Sequence, residues 1–240
     1  MVGELINFNA QKALELLSQH QAPLTVVASL VQRISLKAIV QLSCALAEDE
    51  VAKQKPQLIF RETSSLPHVL FKEFQSRKIA SIISFSEHLA PLIVKKKVGN
   101  LGTKVFTLTY VNVKKVAKCA KAILKEVNKR LTNEKIDASL LKIYHCFYKS
   151  YLQKYGEGAI EDAQKQVTSL FFLGYLNCVF ILPANYSEEQ DKTNGLCISF
   201  FLQKLVNNKK TTDEKWQGID EFIEKYQKYL KNITAHLCPK

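Results

Sequence analysis

Arginine is scarce in this chain. Arg33, Arg61, Arg77 and Arg130 are the only four among 34 Lys and Arg residues, so lysine carries nearly all of the basic charge. Glycine and proline are also few, 8 and 6 in 240 residues, and no stretch has the composition of a flexible tether or a low-complexity linker. The absence of a linker argues against two domains. The absence of any fixed-period repeat argues against a solenoid. A single domain over residues 1–240 is expected, and 47% apolar residues are enough to bury a substantial core.

Other absences narrow the chemistry. The six cysteines (44, 119, 146, 178, 197, 238) form no C-x-x-C pair and sit mostly within apolar helical patterns, the usage of a reducing compartment. The five histidines (20, 68, 88, 145, 236) show no H-E-x-x-H or related spacing, so no metal site is expected. The first residues, MVGELINFNAQ, carry Glu4 and no long apolar core, unlike a secretory signal. A cytoplasmic protein is the expectation. The most apolar run, LFFLGYLNCVFILPA from 170 to 184, holds Asn177 and meets Pro183, and falls short of the ~20 residues a spanning helix needs. It reads as the buried centre of a helical domain.

The remainder is dominated by helical rhythm. From Leu24, apolar residues recur at Val27, Val31, Ile34, Ala38, Leu42 and Ala45, at spacings of three and four. The same spacing runs from Val113 through Val116, Ala120, Leu124, Val127 and Leu131, with lysines on the opposite face. Leu140 to Tyr155 and Cys197 to Val206 repeat it. Period-two alternation is confined to VFTLTYV, 105–111, readable as a strand or an extended loop, and residues 95–112 read as a long connection. Within it GNLG lacks the G-x-x-x-x-G-K-[ST] frame that cradles phosphates, so no autonomous nucleotide site is expected. The fold class is all-α.

Arg61 stands out against this background. The helix before it runs into AEDEVAKQKP and is stopped by Pro56; QLIF then turns back toward the core. SSLPHVLFKEF begins a new helix, with a serine as cap and Pro67 near the first turn. Arg61 therefore sits on a short loop pinned at both ends. Its local context fits an ordinary surface or capping arginine as well as a functional one.

LIFRETSSLPHVLFKEF, 58–74, resembles the arginine-finger stretch of the Ras GTPase-activating protein domains, roughly L-F-R-x-x-[ST]-L followed by a helix, with the loop one residue longer here. About 110 residues on, GYLNCVFILPANY, 174–186, is similar to that family's G-F-x-F-L-R-F-x-x-P-A signature through Gly174, Phe180, Pro183 and Ala184. IYHCFYKSYLQKYG (143–156) resembles the helix before the signature and LCISFFLQKLVNN (196–208) the helix after it. TDEKWQGIDEFI (212–223) resembles the family's K-E-x-x-M-x-x-[VL]-N-x-F-I stretch. The five stretches occur in the family's order, and the resemblance covers about residues 24–230.

The resemblance implies an elongated, all-α, multi-helix domain that stimulates GTP hydrolysis by a Ras-like small GTPase. Arg61 would be inserted in trans as the catalytic residue, with Phe60, Glu62, Thr63, Ser64, Leu66 and Asn207 at the partner contact. A guanidinium suits this because it stays protonated and meets phosphate oxygens bidentately where negative charge builds up. Phe60 and Leu66 would anchor the loop, and Thr63, Ser64 and Ser65 would bond its backbone or touch the GTPase. The partner would carry GTP and magnesium, so this chain would need no cofactor, and it would act as a monomer. Two positions depart from the family: Val179 replaces the arginine that braces the finger loop, and Phe200 replaces a lysine.

Those departures keep a second reading open, that of a small-GTPase-binding scaffold with weak or no activity. Charge opens a third. A formal net charge of +12 with a pI near 9.3 suits an anionic partner, either nucleic acid or an anionic membrane surface to which the protein would be recruited. With so few arginines, specific base readout is not expected.

Overall fold

The computed structural model describes residues 35–53, 88–93, 96–101, 108–133, 138–172, 176, 189–208 and 210–238. Among the described residues there are six α-helices and one strand pair, besides three short 3-10 turns: α1 (Leu36–Lys53), β1 (Gly99–Leu101), β2 (Leu108–Val111), α2 (Val113–Asn133), α3 (Ala138–Tyr155), α4 (Ile160–Phe171), α5 (Glu189–Asn207) and α6 (Ile219–Leu237). The fold is mostly helical, with a small antiparallel pair between α1 and α2 in sequence.

Local chemistry accounts for where the helices begin. The Ser35 hydroxyl accepts the Ala38 amide at 3.2 Å and caps α1, which runs from Leu36 to Lys53; of the helix expected from Leu24 through Ala45, residues 24–34 lie outside the described residues. Asn112 caps α2 by accepting the Lys115 amide at 3.1 Å. α4 and α6 carry Glu161 and Asp162, and Asp220 and Glu221, in their first turns, where carboxylates meet the positive end of the helix dipole.

Two pairs of helices run parallel. Lys154 donates to the carbonyls of Val51 and Ala52 at 2.6 and 3.0 Å, tying the last turn of α3 to the last turn of α1. At the other pair, Lys215 donates to the Leu108 carbonyl ahead of α2 and α6, while Thr132 meets His236 at 3.2 Å where both helices end. α4 bridges the two pairs through contacts with α3 and α6, and α5 packs against α2, α4 and α6.

The core between these helices is aromatic. Tyr144, Phe147, Tyr151, Phe171, Phe172, Phe201 and Trp216 are all essentially inaccessible to solvent. Burying each contributes roughly 1.5–3 kcal/mol. The α2 positions Val116, Ala120, Leu124, Val127 and Leu131 are buried as their spacing predicts. Of the apolar run at 170–184, Leu170, Phe171, Phe172 and Leu176 are buried; the others lie outside the described residues. Among the described residues no helix is long and apolar enough to cross a membrane.

The strand pair resolves part of the 95–112 connection, and β2 takes the strand alternative. Gly99 faces Val111, and the register slips between Asn100 and Leu101. Gly99 is required by space: a Cβ there would lie 2.7 Å from both the Cys197 sulfur on α5 and the Tyr110 carbonyl on β2. Gly99→Ala is therefore expected to destabilise the protein by about 1–3 kcal/mol, read as an earlier thermal transition.

Candidate functional site

Arg61, Phe60, Glu62, Thr63, Ser64 and Leu66 lie outside the described residues, as do Ser65, Val179 and nearly all of the 174–186 stretch. The described part of the expected site is α5 and its surroundings. α5 is tied down at both ends by amide side chains.

At its N-terminal half, Asn194 is completely buried. Its Nδ2 donates to the Ile93 carbonyl at 3.1 Å, and its Oδ1 accepts from the Val98 amide at 3.0 Å and from Gln190 Nε2 at 3.2 Å. Gln190 also reaches the Gly99 carbonyl at 3.1 Å. One helix face thus supplies polar partners for backbone groups of the buried residues Ile93, Val98 and Gly99.

At the C-terminal end, Asn207 is half-exposed and its Nδ2 donates back to the Gln203 carbonyl at 2.9 Å. Gln227 on α6 donates to the Leu205 carbonyl at 3.0 Å and to Asn208 Oδ1 at 3.3 Å, adding a second donor to a carbonyl in the last turn of α5 that also accepts the Asn208 amide at 3.2 Å. Beside this end lies a groove of about 570 Å³ between α4, α5 and α6. Val206, Leu230 and Ala235 form its apolar part, Thr168, Asn208 and Gln227 are among its hydrogen-bonding groups, and Glu161, Lys165 and Lys231 supply charge. Asn208, rather than Asn207, lines it. A mixed lining of this kind suits another protein's surface better than a small apolar ligand.

Phe200, at the position where the family pattern has lysine, is built into the structure. Its ring stacks on Trp216 with centroids 4.5 Å apart and planes 23° apart, and the Lys204 ammonium sits 5.2 Å from its centroid. The ring locks α5 to the turn before α6, and a cation stands one helical turn further along.

Chemistry of another kind lies between α1 and α3. The parallel register brings the Cys44 and Cys146 thiols into hydrogen-bonding contact, at the same 102-residue separation as Ala52 and Lys154. Cys44 acts as donor, and its own ionisation is pushed up by this bond and by burial. The bond, helped by Lys142 and Lys149, brings half-buried Cys146 down to about 7 against the opposition of burial and Glu48. Burial alone pushes Cys197 and Cys238 up to about 12. Alkylation of Cys146 by iodoacetamide should accordingly switch on through pH 7, because the thiolate is the nucleophile. Cys44→Ala removes the donor and should move that midpoint upward, measured by peptide mass spectrometry across a pH series.

Among the described residues no group of three or more His, Cys, Asp or Glu side chains is arranged to hold a metal ion. Comparison with known proteins finds no family model that matches the chain and no curated protein that matches it.

Proposed function

We propose that the protein stimulates GTP hydrolysis by a Ras-like small GTPase, inserting Arg61 in trans against the transferring phosphoryl group. The sequence observation that carries this reading is the pairing of LIFRETSSL, 58–66, with GYLNCVFILPA, 174–184, about 110 residues apart and followed in order by the α5 and α6 stretches. Helices at Ala138–Tyr155, Glu189–Asn207 and Ile219–Leu237 agree with the helical character that the resemblance implies there. On this reading the groove beside Asn207 meets the GTPase, and the nucleotide and its magnesium belong to the partner.

The chemistry needs little from this chain beyond position and charge. Phosphoryl transfer spreads negative charge over the equatorial oxygens, and a preorganised guanidinium in a site closed to water stabilises that charge as it develops. A second reading, a GTPase-binding scaffold with weak or no stimulation, is favoured by Val179 and Phe200 at positions where the family pattern has basic residues. Single-turnover hydrolysis across a panel of Ras-like GTPases, with binding followed in the same samples, separates the two. Acceleration that depends on Arg61 supports the activator; binding without acceleration supports the scaffold.

A further inference from the structure

The outward face of α2 carries Lys114, Lys118, Lys121, Lys125 and Lys129, a row spaced four, three, four and four residues apart along one side of the helix. At 1.5 Å per residue it extends for roughly 22 Å. All but Lys121 are exposed, and Lys121 is half-exposed. The only carboxylate on α2, Glu126, is held by Arg130 at 3.0 Å, and no ion pair joins any of the five lysines to a described acidic residue. The opposite face, from Val116 to Leu131, is buried where α2 packs on α5 and α6, so the orientation of the row is fixed.

The patch extends beyond the helix. Lys96 and Lys97 are exposed, and Lys96 stands close enough to Cys119 for its charge, together with that of Lys118, to act on that thiol. Lys115 is exposed beside Lys114. Tyr110, 54% exposed, sits four residues before Lys114 at the end of β2.

We propose that this face of α2 is a docking surface for anionic lipid headgroups, with the helix lying along the membrane plane and Tyr110 at headgroup level. Three features select a lipid surface from among the polyanions. The cations are all lysine, a hydrated point charge on a flexible stem that suits a diffuse layer of negative charge better than bidentate readout. Binding of single-stranded nucleic acid interleaves aromatic side chains with cations, and between Lys114 and Lys129 the row has no aromatic residue. A straight row on one helix face can meet a plane along its whole length, and an exposed tyrosine at its end is a residue favoured at the membrane–water boundary. This inference stands apart from the GTPase reading, and its test contains no GTPase.

The experiment is co-sedimentation of the full chain with vesicles of phosphatidylcholine alone or mixed equally with phosphatidylserine. Native protein is expected to partition onto the mixed vesicles only, and to be released by salt. Replacing Lys118, Lys121 and Lys125 together by Gln should lower the partition coefficient about 100-fold, roughly fivefold for each cation lost. A control with Gln at Lys37, Lys142 and Lys149, on α1 and α3, removes the same charge and should change it by less than about fivefold. Five of the six positions are exposed and Lys121 is half-exposed, which makes both variants compatible with folding, checked by thermal melts. Equal losses in the two variants, or no serine-lipid dependence in the native protein, would overturn the proposal. So would a single-stranded oligonucleotide that binds the α2 face more tightly than the mixed vesicles do.

Discussion

Arg61→Ala is expected to lower the stimulated rate of GTP hydrolysis by about 10³- to 10⁵-fold, corresponding to roughly 4 to 7 kcal/mol of barrier. The loss should fall on turnover rather than on association, because the guanidinium interacts most strongly with charge that exists only in the transition state. Arg61→Lys is the informative companion. It keeps a positive charge but loses the planar fork that meets two phosphate oxygens at once, so it should recover only a small part of the rate. Position matters as well as charge, since a misplacement of about 1 Å can cost about 10²-fold. Val179 stands where the family pattern has an arginine that braces the loop, and a lost charged hydrogen bond is worth about 1.5–3 kcal/mol. The stimulated rate should therefore lie toward the lower end for such an activator.

The second large effect is on stability. Asn194→Ala should destabilise the protein by about 3–5 kcal/mol, because it strands the Ile93 carbonyl and the Val98 amide and removes a partner from Gln190. Each of the first two groups is left in the interior without its partner, and an unpaired buried polar group costs about 1–3 kcal/mol. For a domain of this size the melting temperature should fall by about 6–20 °C. Asn194→Leu, similar in volume but without polar atoms, should be no better. Recovery of stability in the leucine variant would mean that the site needs volume rather than hydrogen bonds.

These two predictions draw on different kinds of information. α2, α3 and the second half of α5 could be read from three-and-four spacing because each has one buried face, and the structure buries Val116, Ala120, Phe147, Phe201 and Leu205 accordingly. α4 and α6 carry comparable signals in Ala163, Val167 and Leu170, and in Ile219, Ile223, Tyr226, Leu230, Ile233 and Leu237. β1 was harder. Gly-Asn-Leu has no alternation, and its place is set by pairing with β2 and by the close approach of Cys197. The Asn194 clamp and the Cys44–Cys146 contact join positions about a hundred residues apart, so neither leaves a local trace. Asn194 reads in sequence as one polar residue within a helix, and only the chain crossing beside it gives it a role.

Of the expected site, Asn207 and Phe200 are described, and both have structural roles within the protein itself: a bond back to Gln203 and a stack on Trp216. The stretch 58–66 was legible only as motif and order, since periodicity says nothing about what a loop arginine touches.

The decisive measurement is the single-turnover rate of GTP hydrolysis by a Ras-like GTPase that binds this protein, taken at saturating native protein and at saturating Arg61→Ala. The expected result is equal occupancy of the GTPase with a rate ratio on the order of 10³ or more. Acceleration by the native protein that survives the substitution would contradict the account, as would full occupancy with no acceleration at all.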